Sequence, residues 1–218
     1  MHRQRRALLI LVAAALTAAS LPILAQQGDF DNWPKGSSPL DVGNRVAARF
    51  VVTPHTNFIR PGPPKFITYP ETCTWYGALR FAQISGNKEL TAQLIKRFDP
   101  LLTPAEAHLI PEPSHVDLSV FGAVPLELYI QTKEKKYLDI GQGIADKQWE
   151  KPNPDGFTNQ TRWWIDDMFM ITAVQVQAYR ATGDAKYINR SAAIMAAYLD
   201  KLQQPNGLFY HAPDVPFF

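Results

Sequence analysis

The strongest constraint on this chain is a helix–turn–helix unit that recurs roughly every fifty residues. Three segments mark it: Ile84-Ser-Gly-Asn-Lys88, Ile130-Gln-Thr-Lys-Glu134 and Ala181-Thr-Gly-Asp-Ala185. In each, an apolar run ends, a short polar turn follows and a second helical run begins. A helical hairpin cannot bury its own apolar face, so hairpins repeated at this period must stack on one another.

The two helices of a unit differ in character. Leu118–Ile130 and Met168–Tyr179 are apolar nearly all round, as expected of helices packed on every side. Tyr187, Ile188, Ser191, Met195, Tyr198, Leu199 and Leu202 instead form one stripe, opposed by Asp184, Lys186, Asn189, Arg190, Asp200 and Lys201, which predicts an outer, half-solvated helix. A buried inner ring wrapped by amphipathic helices is an α/α toroid, favoured here over an open solenoid whose paired helices line a wet concave face. Strand signals are confined to Val46–Thr53, which reads equally well as a helix ending at Pro54. The predicted class is therefore all-α, an (α/α)6-barrel over residues 41–218. Six hairpins need about 300 residues, so the barrel is expected to be incomplete in this chain, lacking two or three hairpins and exposing apolar surface. The abrupt end on Phe217 and Phe218 fits that expectation.

Residues 1–25 have the form of a secretory signal peptide: Arg3, Arg5 and Arg6, an apolar run from Ala7 to Leu24, and Ala25. Thr17, Ser20 and Pro22 interrupt the run, which argues for removal over retention as an anchor. Residues 26–40 read as a leader, and a periplasmic or secreted location with no membrane attachment is expected after removal. Losing the three arginines turns the formal charge of +2 slightly acidic, which gives no reason to expect a nucleic-acid partner. With Cys73 as the single cysteine, no intrachain disulfide can form. The eighteen prolines fall mostly between periodic segments, where they punctuate the chain.

The densest chemical constellation is Arg162-Trp-Trp-Ile-Asp-Asp-Met-Phe-Met170 after the loop Pro152–Gly156. Adjacent helical residues diverge by about 100°, so one of Asp166 and Asp167 faces a cavity while the other caps or pairs. Acidic residues favour a helix first turn for its dipole, and tryptophans there pack as core. The sharper reading is a carboxyl walled by Trp163 or Trp164, whose apolar wall raises its proton affinity. Asp117 opens the preceding inner helix within Ser114-His-Val-Asp117. That segment is also close to a capping box. Two inner helices that both begin with an acid aim both at one end of a toroid, as a substrate cavity requires.

These segments, His115-Val-Asp-Leu-Ser-Val-Phe-Gly122, Tyr129-Ile-Gln-Thr132 and Arg162–Met170, with Trp75-Tyr76 early and Phe209-Tyr-His211 late, resemble glycoside hydrolase families 88 and 105. Those are the unsaturated glucuronyl and rhamnogalacturonyl hydrolases. The resemblance runs over roughly residues 41–218. It implies an Asp-catalysed hydration of the C4–C5 double bond in a terminal unsaturated uronate, with Asp166 as acid and base and Asp117 as its partner. Trp75, Tyr76, Trp164 and His211 resemble positions that bind the sugar. No metal or other cofactor is implied, and the expected partner is an unsaturated oligosaccharide. Thr158 and Asn159 stand where the families carry a histidine, and their glycine- and tryptophan-rich segment with an arginine is expected beyond Phe218. Rival readings are another α/α-barrel sugar enzyme, or a non-catalytic helical-repeat module. His55, His108 and His115 are too scattered for a metal site, and no glycine-rich phosphate loop or Gly-x-Ser-x-Gly elbow appears.

Overall fold

The computed structural model of the protein describes residues 32–57 and 61–213. The expected signal peptide, part of the leader and the terminal phenylalanines lie outside them. The chain divides into two units, Met1–Val42 and Gly43–Phe218. Helix α1 spans Pro39–Val52 and is followed by α2 (Tyr69–Ser85), α3 (Lys88–Phe98) and two short 3-10 turns, Asp99–Leu102 and Ala107–Leu109. Next come α4 (Val116–Ser119), a 3-10 turn over Val120–Gly122, and α5 (Ala123–Thr132), a nearly continuous helical run. Helices α6 (Lys135–Lys147), α7 (Ile165–Thr182) and α8 (Ala185–Leu202) complete the set. The described residues are all-helical apart from two isolated β-bridges, Pro152 with Thr158 and Gln203 with Phe209. The β-branched run at Val46–Thr53 is helical, ending before Pro54. No helix among the described residues is long and apolar enough to cross a membrane.

Three hairpins, α2–α3, α5–α6 and α7–α8, follow the repeat. Their turns share one backbone device, a residue in the left-handed region that ends the first helix: Gly86 (φ 68°), Lys133 (φ 63°) and Gly183 (φ 75°). The following helices are capped by side chains at two of the three sites. Asn87 accepts from the Leu90 amide at 3.0 Å, and Asp184 accepts from Lys186 at 3.0 Å.

Helices α2, α5 and α7 form the inner layer, with α5 flanked by the other two. Every residue from Ala123 to Leu128 is buried, which matches a helix covered on all sides. Gly141 of α6 makes that cover close: a Cβ there would meet Leu126 Cγ at 2.5 Å and its backbone nitrogen at 3.0 Å. Helix α7 departs from the expectation of burial all round. Phe169 and Tyr179 are exposed, although α4, α5, α6 and α8 all pack against this helix. In α8 the buried stripe is Tyr187, Ser191, Ile194, Tyr198 and Leu202, whereas Met195 and Leu199 face outward. The predicted stripe drifted by one position because a helix advances about 100° per residue and both neighbouring positions are apolar.

Two apolar clusters lie between the layers. The larger is centred on Trp75, Leu79, Leu94, Phe98, Phe121 and Tyr137. The smaller gathers Val116, Met170, Ile171, Ile194, Tyr198 and Leu202, with Trp149, Phe157 and Trp163 against it. The second sits directly beneath the N-termini of α4 and α7, where the candidate site lies.

Candidate functional site

Two loops bring the acids together. The segment entering α4 and the segment entering α7 are tied by a chain of buried amides. Gln175 donates to Gln148 at 2.9 Å, Gln148 to Gln160 at 3.4 Å, and Gln160 to the carbonyl of Pro113 at 2.9 Å. Thr158, wholly buried, donates to the Gln148 carbonyl. The position where the resemblance led to a histidine therefore holds a loop anchor.

Trp163 has φ 63°, a left-handed backbone that bulky residues rarely adopt. That turn sends consecutive indoles to opposite sides. Trp163 packs on Tyr198, ring centroids 4.9 Å apart. Trp164 lies against His211, 5.4 Å centroid to centroid. The backbone carbonyl of His211 accepts from Ile165 at 2.8 Å, which fixes the late loop onto the start of α7.

Asp166 and Asp167 divide as their helical divergence requires. The Asp167 side chain is fully buried. One of its oxygens accepts from the backbone amides of Arg162 (2.9 Å) and Trp164 (3.4 Å) and from the Tyr198 phenol (2.9 Å). The other takes Arg162 Nε at 2.9 Å and Nη2 at 2.5 Å. Asp167 is thus both the helix cap and an ion-pair partner. Asp166 is the more open, with its side chain 38% exposed. Its Oδ2 accepts from Arg162 Nη2 at 3.1 Å, and its Oδ1, itself buried, makes no hydrogen bond among the described residues.

Asp117 reaches the same nitrogen, Arg162 Nη2, at 3.4 Å. The capping box considered for Ser114 does not form. His115 caps α4 instead, its Nδ1 accepting from the Asp117 amide at 3.2 Å, which leaves the Asp117 carboxylate to the cluster. The group shared by both acids is a guanidinium. Arg162 itself lies over the Trp164 ring, 4.7 Å from its centroid. Burial opposes the Arg162 charge, but the bonds and charge of Asp167, then the charges of Asp117 and Asp166, hold its proton more firmly than usual.

Next to Asp117 opens a cavity of about 390 Å³ lined by Phe66, Thr68, Tyr69, Pro70, His115, Asp117 and Leu118. Tyr76 lies two turns further along α2 than Tyr69, roughly 10 Å deeper. There burial, and then the Glu127 carboxylate, push its phenol up. Glu127 is buried and accepts from Gln177 at 2.7 Å, Arg180 at 2.9 Å and Gln131 at 2.9 Å.

Trp75 requires a correction. Its side chain has no exposed surface and packs among Phe50, Phe98 and His55, with Arg97 over its ring. It offers no face to a sugar, because Trp75 lies on the stripe of α2 buried between helices (Glu71, Thr72, Trp75, Ala78, Leu79, Ala82), and Tyr76, about 100° further round the helix, lies off it. The structure therefore brings Asp117, Asp166, Trp164 and His211 together, sets Tyr76 deeper, and places Trp75 in the core. Arg162 as the hub was not anticipated; its spacing of four residues before Asp166 was the available signal. The Tyr198 phenol had no local signal, since it arrives from the outer layer. Among the described residues no group of three or more His, Cys, Asp or Glu side chains is arranged to hold a metal ion.

Residues 44–216 match the sequence profile described as Glycosyl Hydrolase Family 88. No curated protein matches the chain at a significant level.

Proposed function

The chain belongs to glycosyl hydrolase family 88, and from that we propose that it releases a terminal 4,5-unsaturated uronic acid from oligosaccharides left by polysaccharide lyases. The reaction is a hydration and not a displacement at the anomeric carbon, so the separation of the two carboxylates does not set a stereochemical outcome. Asp166 gives a proton to C4, water adds its oxygen to C5, and the water's spare proton returns to Asp166. The hydrated sugar is unstable, opens and lets go of the remaining glycan. Asp117, held at the same guanidinium, is the partner carboxylate that orients the incoming water. Trp164 and His211 border the acid on one side as a platform for the sugar ring, and Tyr76 meets what reaches deeper.

The observation that carries this reading is the unequal pair Asp166 and Asp167. Asp167 spends both oxygens on the Arg162 fork, two backbone amides and the Tyr198 phenol, while Asp166 remains 38% exposed and pairs through one oxygen with Arg162. An acid that must give and regain a proton has to be within reach of substrate and water, as the Asp166 carboxyl is and the Asp167 carboxyl is not. We read the three hairpins as part of an α/α toroid, in which the inner-helix N-termini gather at one end. The export expected from residues 1–25 puts the activity in the periplasm or outside the cell.

The test is to incubate the protein, and an Asp166→Asn variant, with lyase-generated oligosaccharides and follow loss of the ultraviolet absorbance of the conjugated double bond. Wild type removes the absorbance, and the variant is slower by about 10²–10⁴-fold. No loss with folded wild-type protein sinks the reading in favour of a non-catalytic glycan-binding module.

A further inference from the structure

The geometry points to Arg162 as a positioning residue that sets the two acids of the site through a chain starting in the outer helix layer. This inference rests on the function proposed above. Arg162 Nε and Nη2 both bind one oxygen of Asp167. The Arg162 backbone amide binds the other, and the Trp164 ring lies against the guanidinium. Contacts of this kind fix a planar guanidinium in orientation as well as place. Asp167 is fixed in turn by Tyr198 of α8 at 2.9 Å.

Nη2 carries two hydrogens but has three carboxylates within reach: Asp167 at 2.5 Å, Asp166 at 3.1 Å and Asp117 at 3.4 Å. Asp167 takes one hydrogen at short range. The second is left for Asp166 and Asp117 together, so a single N–H holds both acids at a common point. Without that cation, three carboxylates converge on a spot where the remaining partners are the Tyr198 phenol and backbone amides on Asp167 and the His115 ring, 3.6 Å from Asp117. Asp166 and Asp117, both partly open to solvent, are the ones able to turn away. A lysine cannot replace the hub, because a point charge lacks the fork that binds Asp167 while reaching outward. Since the bound edge of Arg162 faces carboxylates, it acts on the reaction through them.

Three variants and one small molecule test this. In the purified protein, Arg162→Ala and Arg162→Lys are expected to lower kcat by about 100-fold, with KM within about threefold of wild type. Added guanidinium ion restores part of the Arg162→Ala rate, whereas urea, of similar shape but uncharged, does not. Tyr198→Phe, which leaves Arg162 in place, gives a smaller fall of about 3–10-fold. A crystal structure of Arg162→Lys shows the Asp166 and Asp117 carboxylates moved apart. The inference is overturned if folded Arg162→Ala keeps its kcat, or if KM alone rises, which makes Arg162 a substrate contact. Failure of guanidinium to rescue a folded Arg162→Ala overturns it too. If wild type consumes no unsaturated oligosaccharide, the proposed reaction fails separately. The crystal structure then decides: both carboxylates at their wild-type positions in Arg162→Lys overturn the positioning role, and their displacement supports it.

Discussion

The phenol of Tyr198 on α8 donates across 2.9 Å to Oδ2 of Asp167 on α7, joining the outer helix layer to the acids of the site. Burial, and then the Asp167 charge, push the Tyr198 phenol well above the ordinary tyrosine range. A group with a raised folded value contributes fully below its unfolded value, about pH 10 for tyrosine, and that contribution is lost as pH rises past it. Urea unfolding is therefore expected to show stability falling above about pH 10. Tyr198→Phe has a shallower alkaline slope and is about 1–2 kcal/mol less stable at neutral pH. An alkaline slope equal to that of wild type rules out Tyr198 as a source of the effect. Tyr76, Tyr137 and Tyr187 are also raised by burial and account for the slope that remains.

Beside the larger core, Glu71 lies buried between His55 Nδ1 at 2.5 Å and Arg97 Nη2 at 2.7 Å. Burial pushes its carboxyl up, but the bonds from His55 and Arg97 outweigh it and the net direction is down. A carboxyl with a lowered folded value contributes above its unfolded value of 4.5 and loses that contribution as pH falls below it. Glu71→Gln leaves Arg97 charged and largely buried without a counter-charge. A loss of about 3–5 kcal/mol at pH 7 is expected, with a flatter acid limb in thermal melts. A variant as stable as wild type at pH 7 shows the ion pair to be dispensable.

Periodicity revealed the hairpins because each turn is local: the polar segments around Gly86, Lys133 and Gly183 announce themselves within five residues. The convergence of Asp117 and Asp166 was legible for a related reason, since equivalent inner helices start at the same end. What the sequence concealed was direction. Trp75 and Tyr76 are neighbours, but one enters the core and the other the inner face, and an indole serves either place equally well. Trp75→Phe is accordingly expected to lower stability by about 1–3 kcal/mol while leaving KM for the oligosaccharide within about twofold. A large rise in KM with an unchanged melting temperature reinstates Trp75 as a sugar contact. Arg162 and Tyr198 were hidden for another reason, because their partners come from different elements and no spacing records a contact between layers.

Lys133 occupies the turn position that its repeat equivalents fill with glycine. At φ 63° its Cβ crowds the backbone, a conformation that costs an L-residue about 1–2 kcal/mol, whereas Gly86 and Gly183 adopt it freely. What lysine gives back is small. Its ammonium lies 5.4 Å from the Tyr129 ring, a contact worth about 0.5–1 kcal/mol at an exposed site. Glycine also has the larger unfolded-state entropy, which offsets part of the gain. The balance still favours Lys133→Gly, by about 0.5 kcal/mol or slightly more. Thermal denaturation should show a rise of about 1–3 °C. Because Lys133 sits at the C-terminal end of α5, far from the acids at the opposite end of the inner helices, kcat and KM should not change. A lowered melting temperature assigns the Lys133–Tyr129 contact more weight than the backbone strain it offsets.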